Sequence, residues 1–201
     1  KTLCANEQRR ADIAQQRQDW LAWLATVDSD RLVFLDETGA KTNLTRAYGR
    51  SKRGERVMDF TPHGHWNTTT LVAALSQGGA LAPWVLEGPM DTASFEVYIE
   101  QVLIPQLPPN AIVIMDNLSA HKSSRTESLL HQVGAQLKYL PAYSPDFNPI
   151  ELMWSKVKNY LKSAKARTQD ALFRAIGEAL ETITSKDAAG FFLHCNVGIN
   201  N

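Results

Sequence analysis

Ala111-Ile-Val-Ile-Met115-Asp116 is the stretch that decides the fold. Five apolar residues in a row, with no polar alternation, mark a strand covered on both faces, and such strands belong to sheets flanked by helices. The run stops at a carboxylate. Upstream, Arg31-Leu-Val-Phe-Leu-Asp36-Glu-Thr-Gly repeats the device, an apolar run closing on an acid. Downstream, thirty-four residues separate Asp116 from Glu151, which follows Asn-Pro-Ile at a helix start. Two acids at the ends of buried strands and a third on a helix make the set of oxygen ligands that a pair of divalent cations needs to act on a phosphodiester. Strand neighbours face opposite ways, so only one of Asp36 and Glu37 can join the group.

The remaining elements read as one mixed α/β domain. Residues 7–25 predict a lead-in helix. Strand-like runs follow at 31–36, as a short pair around 45–60, and at 68–75. Asp91-Thr-Ala-Ser starts a helix that Pro105 stops, with Phe95, Ile99 and Val102 at helical spacing. A helix near 122–133 leads to a strand at 136–140. Pro141-Ala-Tyr-Ser-Pro-Asp-Phe-Asn-Pro149 must be extended or turned. Helices near 149–165 and 168–185 follow, then a short helix and a tail. Strands first, then helices alternating with strands, predict a mixed central sheet flanked by helices.

The helix after the proline loop divides into two faces. Ile150, Met153, Trp154, Val157, Leu161 and Ala164 form an apolar stripe, while Glu151, Ser155, Lys158 and Lys162 share another side. An acid therefore begins a face that continues in hydroxyl and ammonium groups, along which a phosphate backbone could lie. Asn148 is a good N-cap and Pro149 suits the first helical position, which leaves Glu151 two readings: ligand, or the acid of an Asn-x-x-Glu capping box.

Composition sets limits. The chain has 201 residues, 44% hydrophobic and 21% charged, as in an ordinary globular domain. No run approaches the roughly 18 apolar residues of a membrane span, and no membrane partner is expected. The start, Lys1-Thr-Leu-Cys-Ala-Asn, has no initiator Met and no apolar signal core, and reads as numbered from an internal point. Cys4 and Cys195 stand at opposite ends, which offers no disulfide framework and suits a cytoplasmic protein. Net charge is zero, unlike a tight autonomous nucleic-acid binder. The charge is uneven, however. Arg46, Arg50, Lys52, Arg53 and Arg56 face only Glu55 within their stretch, and Lys156, Lys158, Lys162, Lys165 and Arg167 follow Glu151.

Three blocks carry a family resemblance: Phe34-Leu-Asp36-Glu-Thr, Met115-Asp116-Asn-Leu-Ser-Ala-His121-Lys, and Leu140-Pro-Ala-Tyr-Ser-Pro-Asp-Phe-Asn-Pro-Ile-Glu151-Leu-Met-Trp154. They resemble the motifs of DDE transposases of the mariner superfamily, most closely its bacterial insertion sequence 630 branch. The resemblance covers roughly residues 30–165, and Ile183-Thr-Ser-Lys-Asp-Ala-Ala-Gly-Phe-Phe-Leu-His-Cys195 is also similar to the family's C-terminus. It implies an RNase H-like fold in which Asp36, Asp116 and Glu151 are both catalytic residues and ligands of two Mg²⁺ ions, with Mn²⁺ as a substitute. It implies strand cleavage at transposon ends and transfer into target DNA at TA dinucleotides, with double-stranded DNA as partner and a dimer assembled on it. The compartment it implies is bacterial cytoplasm, on the nucleoid when DNA-bound. The family's N-terminal helix-turn-helix reader does not fit in residues 1–30, so the expected division is a connecting helical segment at 1–30, the catalytic domain at 31–165, and a C-terminal helix and tail packed on it at 166–201.

Other residues keep two readings each. Asn117 either bonds a ligating carboxylate or starts a turn, and His121 either orients water and phosphate or begins a helix without a role. His63 and His65 read as a turn rather than a zinc site. Arg46, Arg50, Lys52, Arg53, Arg56, Lys158 and Lys162 are the DNA-contact candidates, against a solvated surface. Asp146 reads as an ordinary loop acid, and Trp84 and Trp154 as core. Rival functions are an RNase H-like nuclease without strand transfer and a non-catalytic DNA-binding remnant.

Overall fold

The computed structural model describes residues 5–61, 69–117 and 123–198. The two acid-terminated runs lie side by side in the middle of one sheet. β1 (Leu32–Ala40) pairs in parallel with β4 (Ile112–Met115), which pairs in parallel with β5 (Gln136–Tyr139). On its other side β1 runs antiparallel to β2 (Thr69–Ser76), and β2 antiparallel to β3 (Gly79–Glu87), for the order β3-β2-β1-β4-β5.

Helices cover both faces, which is why the central strands can be apolar throughout. Side chains alternate, so Leu32, Phe34, Ile112 and Ile114 enter one core, and Val33, Leu35, Val113 and Met115 the other. The first core is closed by α1 (Ala11–Leu24), α4 (Pro149–Ala164), α5 (Gln169–Glu181) and α6 (Ser185–His194). There the Phe34 and Phe192 rings meet edge to face, with centroids 5.4 Å apart. The second core is closed by α2 (Thr92–Tyr98) with the π-helical turn Ile99–Leu103 that continues it, and by α3 (Ser124–Gln132).

Helix ends follow their sequence signals. Asp91 accepts from the Ser94 amide, Thr168 from Ala171, and Thr184 forms a full capping box with Asp187.

Several expectations need correction. Residues 41–61 contain no strand; the chain turns at 52–55, where Gly54 has φ +88°, and positions 46–60 are all exposed. With no apolar alternation to bury, that basic segment has no reason to pair. β3 was not foreseen, because Pro83 interrupts its pattern. The strand absorbs the proline at a bulge, where Ala82 and Pro83 together oppose Ala73 on the outer edge of the sheet. β1 runs on to Ala40, beyond the acid. Ala164 is exposed, at the frayed end of its stripe. Trp154 is core, whereas Trp84 is half-buried and stacks on Tyr98, 5.9 Å between centroids.

Candidate active site

The sheet's register sets the first two acids. Phe34 pairs with Ile114 across the parallel β1–β4 ladder. Two residues further along stand Asp36, inside β1, and Asp116, just past the end of β4. By alternation both share the face of Phe34 and Ile114, the face covered by α4, whereas Glu37 belongs to the opposite face. Asp36 is therefore the member of the Asp36–Glu37 pair that joins the group. Here the parallel β1–β4 pairing ends, while β1 runs on to Ala40 beside β2.

α4 brings the third acid. Its stripe of Ile150, Met153, Trp154, Val157 and Leu161 is buried against the sheet, which leaves Glu151 exposed in the first turn at the cleft's rim. The capping box is absent: Asn148 begins the helix through its backbone carbonyl, which accepts from the Glu151 amide at 3.1 Å, but its side chain makes no cap bond. Among the described residues the Glu151 carboxylate makes no hydrogen bond or ion pair.

Asp36, Asp116 and Glu151 line one cleft of about 450 Å³, with Asn117, Tyr143, Ser144 and Asn148 among the other walls. The Asp36 Oδ1 accepts from the Glu37 amide at 2.8 Å, which fixes the carboxylate within β1. The three acids share the cleft without converging on a single point: among the described residues no group of three His, Cys, Asp or Glu side chains stands ready around one ion. Asn148 is 4% exposed, and its Oδ1 is buried with no hydrogen-bond partner. An orphaned acceptor in a cleft with three carboxylates is a donor set of hard oxygens, the kind that suits Mg²⁺ or Mn²⁺.

Of the accessory candidates, Asn117 lines the cleft, while His121, His63 and His65 lie outside the described residues. Asp146 is more than a loop acid, since Arg17 of α1 grips it. Burial acts to raise its carboxyl, but the hydrogen bond and charge of Arg17 hold it below the ordinary carboxylate value.

The two basic clusters, far apart in sequence, meet at the end of α4. A second groove of about 510 Å³ is lined by Arg46 and Tyr48 from the 41–61 segment and by Lys162, Ser163 and Lys165. Arg46 donates to Ser163 Oγ, and Lys165 pairs with Asp59 at 2.6 Å. Arg50, Lys52, Arg53 and Arg56 are exposed and do not line this groove. Asn148 and Arg17 were missed as site residues. Asn148 was read as a cap, and nothing local to Arg17 announces a partner some 130 positions away.

Residues 31–173 match the DDE superfamily endonuclease family. Over 100 residues, 48% of this chain and 37% of the relative, the chain is 28% identical to the Tcb1 transposable-element transposase of Caenorhabditis briggsae. The fold superposes on the Mos1 transposase in its paired-end complex with the left transposon end, with TM-score 0.76 and 14% identity, over 97% of this chain and 62% of that one. For the Mos1 mariner paired-end complex with Mn the TM-score is 0.75 at 15% identity over the same shares. The catalytic domain of the Mos1 mariner transposase alone is covered to 92%, with TM-score 0.69 and 13% identity, which makes the fold RNase H-like. The chain thus spans less than two thirds of the full-length relatives. With the family's match running unbroken from the first acid past the third, this chain belongs to the DDE superfamily endonucleases.

Proposed function

We propose that this chain is the catalytic domain of a mariner-superfamily transposase, of the insertion sequence 630 branch, which cuts DNA at the ends of a mobile element and joins the freed ends to target DNA. The observation that carries the proposal is the gathering of Asp36, Asp116 and Glu151, from three distant segments, into one cleft of a domain that belongs to the DDE endonucleases. The branch assignment draws its support from Tyr143-Ser-Pro-Asp-Phe-Asn-Pro-Ile-Glu151.

In this reading Asp36 from within β1, Asp116 from the end of β4 and Glu151 from the helix side would hold two divalent cations. Bound there, Mg²⁺ or Mn²⁺ supplies Lewis acidity, which makes water a better nucleophile and stabilises the departing 3′ oxygen. The Asn148 carboxamide accepts from water or a ligand in the cleft, and Asn117 bonds a ligating carboxylate. Lys158 and Lys162, both half-buried on α4 beyond Glu151, hold the phosphates that flank the scissile bond, with Arg46 extending the path. The 3′ hydroxyl freed by hydrolysis then takes the place of water and displaces a 3′ oxygen from a target phosphodiester, so no protein–DNA bond is needed. Double-stranded DNA is the partner, with two copies assembled on paired ends. With zero net charge, residues 1–201 should bind DNA without sequence preference, at roughly 10⁻⁴–10⁻⁶ M.

The test is a duplex oligonucleotide with a free 3′ end, offered with supercoiled plasmid and Mn²⁺, scored for both joining and nicking. Joining that disappears in Asp36→Asn, Asp116→Asn and Glu151→Gln supports the reading. Nicking without joining would identify a nuclease instead, and neither reaction in the wild-type chain would refute it.

A further inference from the structure

The loop between β5 and α4 delivers Asn148 and Glu151 to the cleft, yet it has little regular structure of its own. It holds one 3₁₀ turn, Pro145–Phe147, and a left-handed residue, Tyr143 with φ +56°. What fixes it comes from the opposite end of the described chain. Arg17 Nη1 donates to Ser144 Oγ at 2.7 Å and to Asp146 Oδ1 at 3.0 Å, and its Nη2 donates to Asp146 Oδ2 at 2.6 Å. The guanidinium also lies 4.1 Å from the centre of the Phe147 ring. A single side chain therefore holds three of the four residues that precede Asn148. Gln8 adds a strap one residue earlier, Nε2 donating to the Tyr143 carbonyl at 2.6 Å.

The platform is rigid as well. α1 buries Trp20 and Leu24 in the core that also receives Phe147, Ile150 and Trp154, and the Arg17 side chain is only 19% exposed. Bidentate pairing to a carboxylate combined with stacking on a ring needs the planar guanidinium fork, and an ammonium cannot supply both. Neither Arg17 nor Asp146 lines the cleft, so their effect on it passes through the loop.

We propose that Arg17 is a positioning residue of the active site. By strapping residues 144–147 to α1 it sets where α4 begins, and so the distance from which Glu151 faces Asp36 and Asp116. The proposal rests on the reading of those acids as cation ligands. It also makes α1 a working part of the catalytic domain rather than a connector.

The experiment uses the chain of 201 residues without DNA. Mn²⁺ binding is followed by the electron paramagnetic resonance of the free ion, and backbone order by hydrogen exchange over residues 143–151. Outer partners of metal ligands are worth about 10–100-fold in affinity. Arg17→Gln and Asp146→Asn are each expected to weaken Mn²⁺ binding about tenfold and to speed exchange in 143–151 while β1 and β4 keep their protection. Arg17→Lys should recover only part of the loss. Arg10→Gln, which breaks an exposed pair with Asp12 at the start of α1, should leave both readouts unchanged. Mn²⁺ affinity within about twofold of wild type in folded Arg17→Gln, against the tenfold or greater loss expected of a ligand-orienting partner, would overturn the proposal. If Arg17→Gln fails to fold, the same result in Asp146→Asn overturns it. Should the wild-type chain bind no Mn²⁺ at all, the ligand reading of the acids falls. The exchange data then judge the strap by themselves, and unchanged exchange in either variant overturns that too.

Discussion

Replacing Asp116 by Asn removes one charge from the cleft and leaves the shape of the strand end nearly intact. Asp36 and Asp116 line the same cleft. Two full negative charges there repel one another. A divalent cation held between them offsets that repulsion only in the folded state, so Mg²⁺ should stabilise the wild-type chain. At a concentration tenfold above its dissociation constant the gain is about 1.4 kcal/mol, which for a domain of this size raises Tm by roughly 3–6 °C. Relieved of that repulsion, Asp116→Asn should lose most of the metal-induced rise while its metal-free Tm equals or exceeds that of wild type. Strand cleavage should fall by at least about a hundredfold, because even outer partners of metal ligands cost 10–100-fold. The assay is thermal melting in EDTA and in graded MgCl₂ at constant ionic strength, with plasmid nicking on the same samples. An equal Mg²⁺-induced rise in wild type and variant would refute the reasoning. So would a metal-free melt several degrees lower, since it would make Asp116 a structural residue.

Three further outcomes are expected. Glu151→Gln should abolish cleavage with a stability change below about 0.5 kcal/mol, because no capping bond is lost; full activity with a lower Tm would restore the capping reading. Lys158→Gln and Lys162→Gln should each weaken DNA binding across all sequences and reduce the slope of log affinity against log salt by roughly 0.7–0.9; an unchanged slope in the double variant would shift the DNA path to the 46–56 cluster. Arg17 holds the Asp146 carboxyl below its ordinary value, so the stability this pair contributes is complete above the unfolded-state value of about 3.9 and is lost as pH falls through the folded one. Urea denaturation of wild type and Asp146→Asn should therefore converge as pH drops below about 4, and a constant gap down to pH 2 would contradict the assignment.

Much of this protein was readable along the chain because the signals are local. An unbroken apolar run ending in an acid gives a buried strand with a carboxylate at its tip, whatever it packs against. Period 3.6 in Ile150–Leu161 names the buried side of α4 and so leaves Glu151 facing out. The edge strand was hidden, because Pro83 breaks the β pattern and only a bulge in a formed sheet accommodates it. The exposed 41–61 segment misled in the other direction, since residues compatible with strands do not pair without a face to bury. Register was another matter for the tertiary structure. No sequence spacing says that Asp36 and Asp116 line one cleft, because that follows from the parallel pairing of β1 with β4. The choice between capping box and cleft for Glu151 was likewise open, as Asn-x-x-Glu permits both until the loop ahead of it is fixed. That loop is held by Arg17, and a contact closed across 129 positions leaves no local trace in sequence. The chain's own order determined the parts of the site, and the packing of α1 and α4 on the sheet decided how they face one another.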